Sequence, residues 1–270
     1  MKFVDSHAHI NVEDFQDDRD QVIARAFHED IQAILCPAEI TEPENCQTAQ
    51  DLNEKYGNIF IAAGVHPHNA KDFLPKMETT MKRWAHEKKI CAVGEIGLDF
   101  HYNHSPPDKQ REIFRAQLNI AQDLDLPVVI HSRNAADEIT EAIQEENFGR
   151  GGVLHCFSEN WEFAKRMLDR DFFISFSGIL TYPSAQSIRD VAEKLPLERT
   201  LIETDSPYLV PVPFRGKVKK NEPVYVKEIA RTLAEIRRVE IEEIAWQTSQ
   251  NFASLFRLNY EDRDVNIGHQ

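Results

Sequence analysis

At 270 residues the chain is long enough for two average domains, yet a closed α/β barrel occupies about 250 residues as one, and 41% hydrophobic with 28% charged residues describes a globule with a full core. The formal net charge of -14 argues against broad electrostatic attraction to nucleic acid or anionic membrane, so any polyanion contact must be local. Cys36, Cys46, Cys91 and Cys156 show no CxxC spacing and fall mostly within apolar runs, which reads as reduced core thiols rather than a disulfide framework.

The residues from Met1 to His9 contain no apolar leader, and no later run approaches the roughly 20 apolar residues that cross a bilayer. The expected location is the cytoplasm, without a membrane or an obligate protein partner. Short apolar runs recur at residues 2–5, 31–36, 59–65, 90–95, 127–131, 152–156, 172–176 and 200–203. That is the strand number of a closed parallel (β/α)8 barrel. Helical spacing marks 108–125, with Phe114, Leu118, Ala121 and Leu124 on one face, and 183–195, with Ile188, Val191, Ala192 and Leu195. Alternating strand and helix implies parallel strands. Segments 222–236 and 240–258 read as closing helices. The predicted fold is α/β, a single TIM barrel over residues 1–258, with 259–270 a polar tail prone to fraying.

The first run ends Asp5-Ser6-His7-Ala8-His9, where two-residue spacing points both imidazoles to one side. Other runs end alike: the fourth in Glu95-Ile96-Gly97-Leu98-Asp99, the fifth in His131-Ser132-Arg133, the sixth in His155-Cys156, the eighth in Glu203-Thr204-Asp205. Each residue alone admits a bland reading, as a core histidine, a helix cap or an ion pair. Together they require several strands to finish independently in polar groups whose uncompensated burial costs roughly 2 to 7 kcal/mol each. Metal coordination explains all of them at once. The ligands exceed what one tetrahedral ion takes and fit two ions about 3.5 to 4 Å apart. The partition expected is His7, His9 and Asp205 on one ion, His131 and His155 on the other, and Glu95 between them.

These motifs, with Gly64-Val65-His66-Pro67-His68, Leu154-His155-Cys156-Phe157-Ser158 and Asp205-Ser206-Pro207-Tyr208-Leu209, resemble the TatD-type metal-dependent deoxyribonucleases in order from residue 3 to about 257. The resemblance implies an amidohydrolase-type TIM barrel and hydrolysis of DNA phosphodiesters, often as a 3′ to 5′ exonuclease. It also implies two divalent ions per chain (Mg, Mn or Zn), with ligand roles for His7, His9, Glu95, His131, His155 and Asp205. Two departures stand out. Family members usually run from Arg-Gly-Lys directly to Arg-Asn-Glu-Pro after the eighth strand, whereas Lys217 here is followed by Val218-Lys219-Lys220, which lengthens the loop. Glu159 replaces the Gly that commonly follows His-Cys-Phe-Ser.

The mechanism expected is attack by a metal-bridged hydroxide, since a cation can lower the pKa of water from 15.7 to about 7. Asp205 and Glu95 are the expected catalytic carboxylates, Asp205 orienting or deprotonating the nucleophile. Glu203 is expected behind the ligands or as a further ligand, with Asp99 also behind them. His66 and Arg133 are candidates to hold phosphate, with Tyr208 on the pocket wall and Arg215, at the head of the basic stretch that ends at Lys220, as a further substrate contact. His68 is a weaker wall candidate, and His101 and His104 read as solvent-exposed. The competing readings are an amide or ester hydrolase of the same fold, for instance on aminoacylated RNA, and a non-catalytic scaffold.

Overall fold

A computed structural model describes residues 1–259, so most of the expected polar tail lies outside the described residues. Eight strands run β1 Phe3–Asp5, β2 Ile31–Glu39, β3 Ile59–Gly64, β4 Ala92–Asp99, β5 Val128–Arg133, β6 Gly152–Leu154, β7 Phe172–Phe176 and β8 Thr200–Ile202. They form one parallel sheet in sequence order. The ends meet where Ser6 N donates to Ile202 O (3.1 Å) and Asp205 N to His7 O (2.9 Å), and the result is a TIM barrel. The surrounding helices are α1 Arg19–His28, α2 Pro43–Tyr56, α3 Pro75–His86, α4 Pro107–Asp123, α5 Ala136–Glu145, α6 Trp161–Leu168, α7 Gln186–Lys194, α8 Val226–Arg237 and α9 Ile241–Phe256. No helix among the described residues is long and apolar enough to cross a membrane.

Two apolar layers hold the barrel together. The larger lies between the helices and the outer face of the sheet, with Phe3, Ile34, Ile61, Phe114 and Phe163 among its members. The inner one takes Val4, Ala33, Leu35, Phe60, Ala62, Ala92, Val129, Val153, Phe173 and Leu201 from the eight strands, with Phe252 and Phe256 of α9 packed into it. Because side chains alternate along a strand, residues an even number of positions after an inner residue also face inward. His131 follows Val129, His155 follows Val153, Glu203 and Asp205 follow Leu201, His66 follows Ala62 and Glu39 follows Leu35 by such steps. Glu95 does not, being three residues after Ala92, and neither do His7 and His9, three and five residues after Val4. The β4–β5 register shifts between Val93 and Ile96, and this irregularity carries Glu95 to the inside.

The predicted strands differ from those observed mainly at their ends. β2 continues past Pro37 to Glu39, in register with Gly64 of β3, and β4 continues to Asp99. β6 and β8 stop short, at Leu154 and Ile202, so His155 and Glu203 sit just beyond their strands. Cys156 (φ 46°) and Asp205 (φ 55°) are in the left-handed region there, where a non-glycine residue costs about 1 to 3 kcal/mol. That turn aims side chains into the barrel mouth. The helix expected from 183 begins at Gln186, and the one expected from 222 begins with a short 3-10 turn, Pro223–Tyr225.

All four cysteines are free. Burial pushes Cys36, Cys46 and Cys91 up to about 12, and burial also holds Cys156 well above the usual thiol range. Thiolate is the reactive form, so the native protein is expected to resist a thiol-titrating reagent near neutral pH and to react at all four positions once denatured. Rapid reaction of the native protein would contradict this burial. The unfolded thiols ionise near 9.0 and release protons first, so stability is expected to fall as pH rises from about 9 toward 12.

Candidate metal centre

Glu95, 6% exposed, stands at the centre of five imidazoles. Its Oε2 lies 3.2 Å from His7 Nε2 and 3.7 Å from His9 Nε2. Its Oε1 lies 2.8 Å from His155 Nε2, 2.9 Å from His131 Nδ1 and 3.3 Å from His66 Nε2. Asp205 Oδ1 is 3.4 Å from His9 Nε2 and 3.9 Å from His7 Nε2. Three sets of side chains have ligand atoms within 4.8 Å of one another: His7, His9 and Glu95; His7, His155 and Asp205; His66, Glu95 and His131. All six expected ligands therefore meet, in groups other than the expected partition. The rings of His7 and His155 stack at 4.0 Å, which draws His155 toward His7, and His66 takes the place beside His131.

Four of the histidines are braced from behind, by the side chain or through the backbone. Asp5, fully buried, accepts from Thr204 N (2.9 Å), Thr204 Oγ1 (2.5 Å) and His7 N (3.3 Å), tying the end of β1 to the segment that bears Asp205. Asp99 Oδ2 lies 3.2 Å from His131 Nε2 and 2.9 Å from His68 Nε2, while its Oδ1 accepts from the backbone of His101 and Tyr102. Glu203 Oε1 accepts from Cys156 N (2.6 Å) and lies 3.2 Å from His155 Nδ1. Carboxylates behind imidazoles fix ring orientation and tautomer. Glu39 was not anticipated from the sequence. It accepts from His66 N through Oε2 and from Thr41 through Oε1, so it sets the His66 backbone. The only sequence signal was an acidic residue closing an apolar run, three residues beyond the predicted strand end.

The carboxylates of Glu95 and Asp205 are held ionised, and the imidazoles divide. His66 and His7 are lowered, whereas against burial the neighbouring carboxylates raise His9, His131 and His155, so a cation would displace protons from those three rings. Burial alone would raise the Glu95 carboxyl, but the imidazoles of His155, His66 and His131 hold it well below its ordinary range. Burial opposes ionisation of Asp205 as well, and His9 reverses it. Burial lowers His66 to about 4, against the pull of Glu95, and burial together with His155 lowers His7. Ionised carboxylates and neutral imidazoles are the forms that bind metal. Two observations test the fit of a divalent ion directly. The Nε2 atoms of His7 and His9 face each other at 3.1 Å beside Glu95 and Asp205. Glu203 Oε2 and His7 Nδ1 are buried without a partner. The donor set fits borderline metals that take nitrogen and oxygen together.

The centre opens into a cavity of about 1000 Å³. Arg133 lines it, with its guanidinium 4.8 Å from the Tyr102 ring. Tyr208, 52% exposed, stands at the lip with its ring edge-on to His9 at 5.8 Å. Arg215 is not on the wall; its guanidinium lies 4.0 Å from the ring of Tyr182, which is. His68 contacts Asp99 as described, and His101 and His104 are exposed as expected, although the His104 ring sits 4.5 Å from that of His68. Glu159 lines the cavity, and its carboxylate accepts from the backbone of Asn134.

A family profile described as TatD related DNase matches residues 4–257. The chain belongs to the TatD family. It is 40% identical, over 96% of its length and 97% of the other, to the Escherichia coli K12 protein described as uncharacterized metal-dependent hydrolase YcfH. It is 32% identical to the Salmonella typhimurium 3′-5′ ssDNA/RNA exonuclease TatD, over 90% and 95% of the two chains. Among solved structures it superposes on the TatD homolog YjjV of Escherichia coli K12 with a TM-score of 0.88 at 32% identity, over 95% and 98% of the chains. This TatD-family barrel is a metal-dependent hydrolase.

Proposed function

We propose that the chain hydrolyses phosphodiester bonds of DNA, as a 3′ to 5′ exonuclease on single-stranded ends. The observation that carries the reading is Glu95, one carboxylate shared by opposing histidine sets, an arrangement suited to two ions held side by side. His7, His9, His155 and Asp205 on one side of Glu95 and His131 on the other would hold two ions, with Mg, Mn or Zn as the metal. Divalent ions held there would supply an acidified water and polarise a phosphoryl oxygen. Asp205, ionised and at the mouth, orients the attacking water and accepts its proton. Asp99 and Glu203 keep the rings of His131 and His155 in place. His66, neutral at pH 7, and Arg133 hold the phosphate by hydrogen bonds, Arg133 with its charge as well, while Tyr208 borders the departing nucleotide. The name of the Salmonella relative supports this substrate class, and four unpaired thiols fit a cytoplasmic enzyme.

The test is a 5′-labelled single strand incubated with the purified protein and Mn or Mg. A ladder of strands shortened from the 3′ end is expected, and His131→Ala is expected to reduce the rate by about 10³-fold. No shortening, with cleavage of an ester or amide substrate instead, would sink the nuclease reading. Equal cleavage by the variant would assign the activity to a contaminant.

A further inference from the structure

The loop between β8 and α8 is a folded strap. At its start Tyr182 Oη donates to Val210 O (3.1 Å), Val212 N donates to Thr181 Oγ1 (2.9 Å), and Arg215 lies over the Tyr182 ring. Phe214 stacks on Tyr225 at 4.4 Å. At its far end Lys220 Nζ donates to Asp14 O (2.8 Å) and Asp18 Oδ1 (2.5 Å) and sits 4.4 Å from the Phe15 ring. Asn221 Nδ2 donates to Thr204 O and Tyr208 O. Between these anchors Lys217 and Lys219 are exposed and have no ion-pair partner among the described residues.

The position of the strap gives those charges a use. Tyr182, Tyr208 and Leu209, next to its first anchor, line the cavity. Beyond Glu95, Asp99 and Asp205 the cavity wall adds Glu39, Glu42 and Glu159, against Arg133 as the one Lys or Arg among the described lining residues. In a chain of net charge -14, phosphates beyond the reach of bound ions would meet a repulsive field. A polyanion longer than the cleaved unit needs cations outside the cavity, and the strap, whose Arg215 lies over the cavity-lining Tyr182, offers two exposed lysines within four residues of that anchor.

We infer that Lys217 and Lys219 form a phosphate-gripping rim site that engages the backbone of a single-stranded nucleic acid beyond the scissile bond. The inference rests on the nuclease reading for its substrate but has its own readout. The experiment measures binding of a labelled, hydrolysis-resistant phosphorothioate single strand, in Mn, at increasing salt, and in parallel the shortening of an ordinary strand. With Lys217→Ala and Lys219→Ala combined, the slope of log affinity against log salt should become shallower by about 1.4, or about 0.7 for each of two phosphates. The gain in kcat/KM from a dinucleotide to a longer strand should shrink, and the double Arg variant should restore both. An unchanged slope would overturn the rim site even if the wild type shortens DNA. A slope that falls as expected in a protein unable to shorten DNA would keep the rim site and discard the nuclease reading. Failure of the wild type to bind the strand would overturn the inference as well.

Discussion

Glu95→Gln is expected to lower kcat/KM by at least about 10³-fold, equivalent to about 4 kcal/mol of transition-state stabilisation, and to strip metal from the purified protein. The carboxylate contacts His7, His9, His66, His131 and His155, so its charge is what opposing sets of nitrogens share. An amide of the same shape cannot bridge cations, because its nitrogen presents hydrogens where a second oxygen lone pair is needed. Loss of the charge also removes the main attraction that keeps His155 raised well above its ordinary pKa against burial. Elemental analysis beside steady-state kinetics checks the prediction. A variant with wild-type metal content and turnover would place the centre elsewhere in the barrel.

Gly97→Ala is expected to destabilise the fold by about 3 to 5 kcal/mol, the sum of overpacking and backbone strain, and to lower Tm by roughly 6–20 °C. Gly97 has φ 144°, and a Cβ there would lie 2.0 Å from His131 O and 3.0 Å from His131 N. Gly97 and His131 are register partners across β4 and β5. The new Cβ clashes with backbone rather than with a flexible side chain, so β5 must move and His131 with it, and activity should fall along with stability. Gly149→Ala, with nothing within 4 Å of its added carbon, is the control and is expected to stay within about 0.5 kcal/mol of wild type. Thermal unfolding that separates the two variants by no more than a degree or two would show that the close approach does not hold β4 against β5.

Much of the barrel was legible in advance because its signals are local. A parallel strand buried on both faces is a short apolar run, and a ligand at the barrel mouth is the polar residue that stops it. That logic singles out His7, His9, Glu95, His131, His155 and Asp205, the side chains that the fold brings together. Glu39 escaped it: Pro37 cannot donate to a ladder and reads as an ending, yet β2 continues two residues further in register with β3. The position of its loop suggests a substrate contact for Arg215, but in the fold its guanidinium packs on the ring of Tyr182, and it is Tyr182 that lines the cavity.

By itself the sequence determined the number and order of the strands and the kinds of side chain at their ends, because apolar alternation and the cost of burying polar groups act over a few residues. The tertiary structure alone decided which of those groups meet. Glu95 faces inward through a register shift between β4 and β5 that no alternation pattern contains. His155 sits against His7 because their rings stack across the barrel. Within one basic loop, Lys220 is consumed by Asp18, 202 positions away in the chain, while Lys217 and Lys219 are left exposed. Pairings of that range follow from the closure of the barrel, which brings the loop after β8 beside the loop after β1.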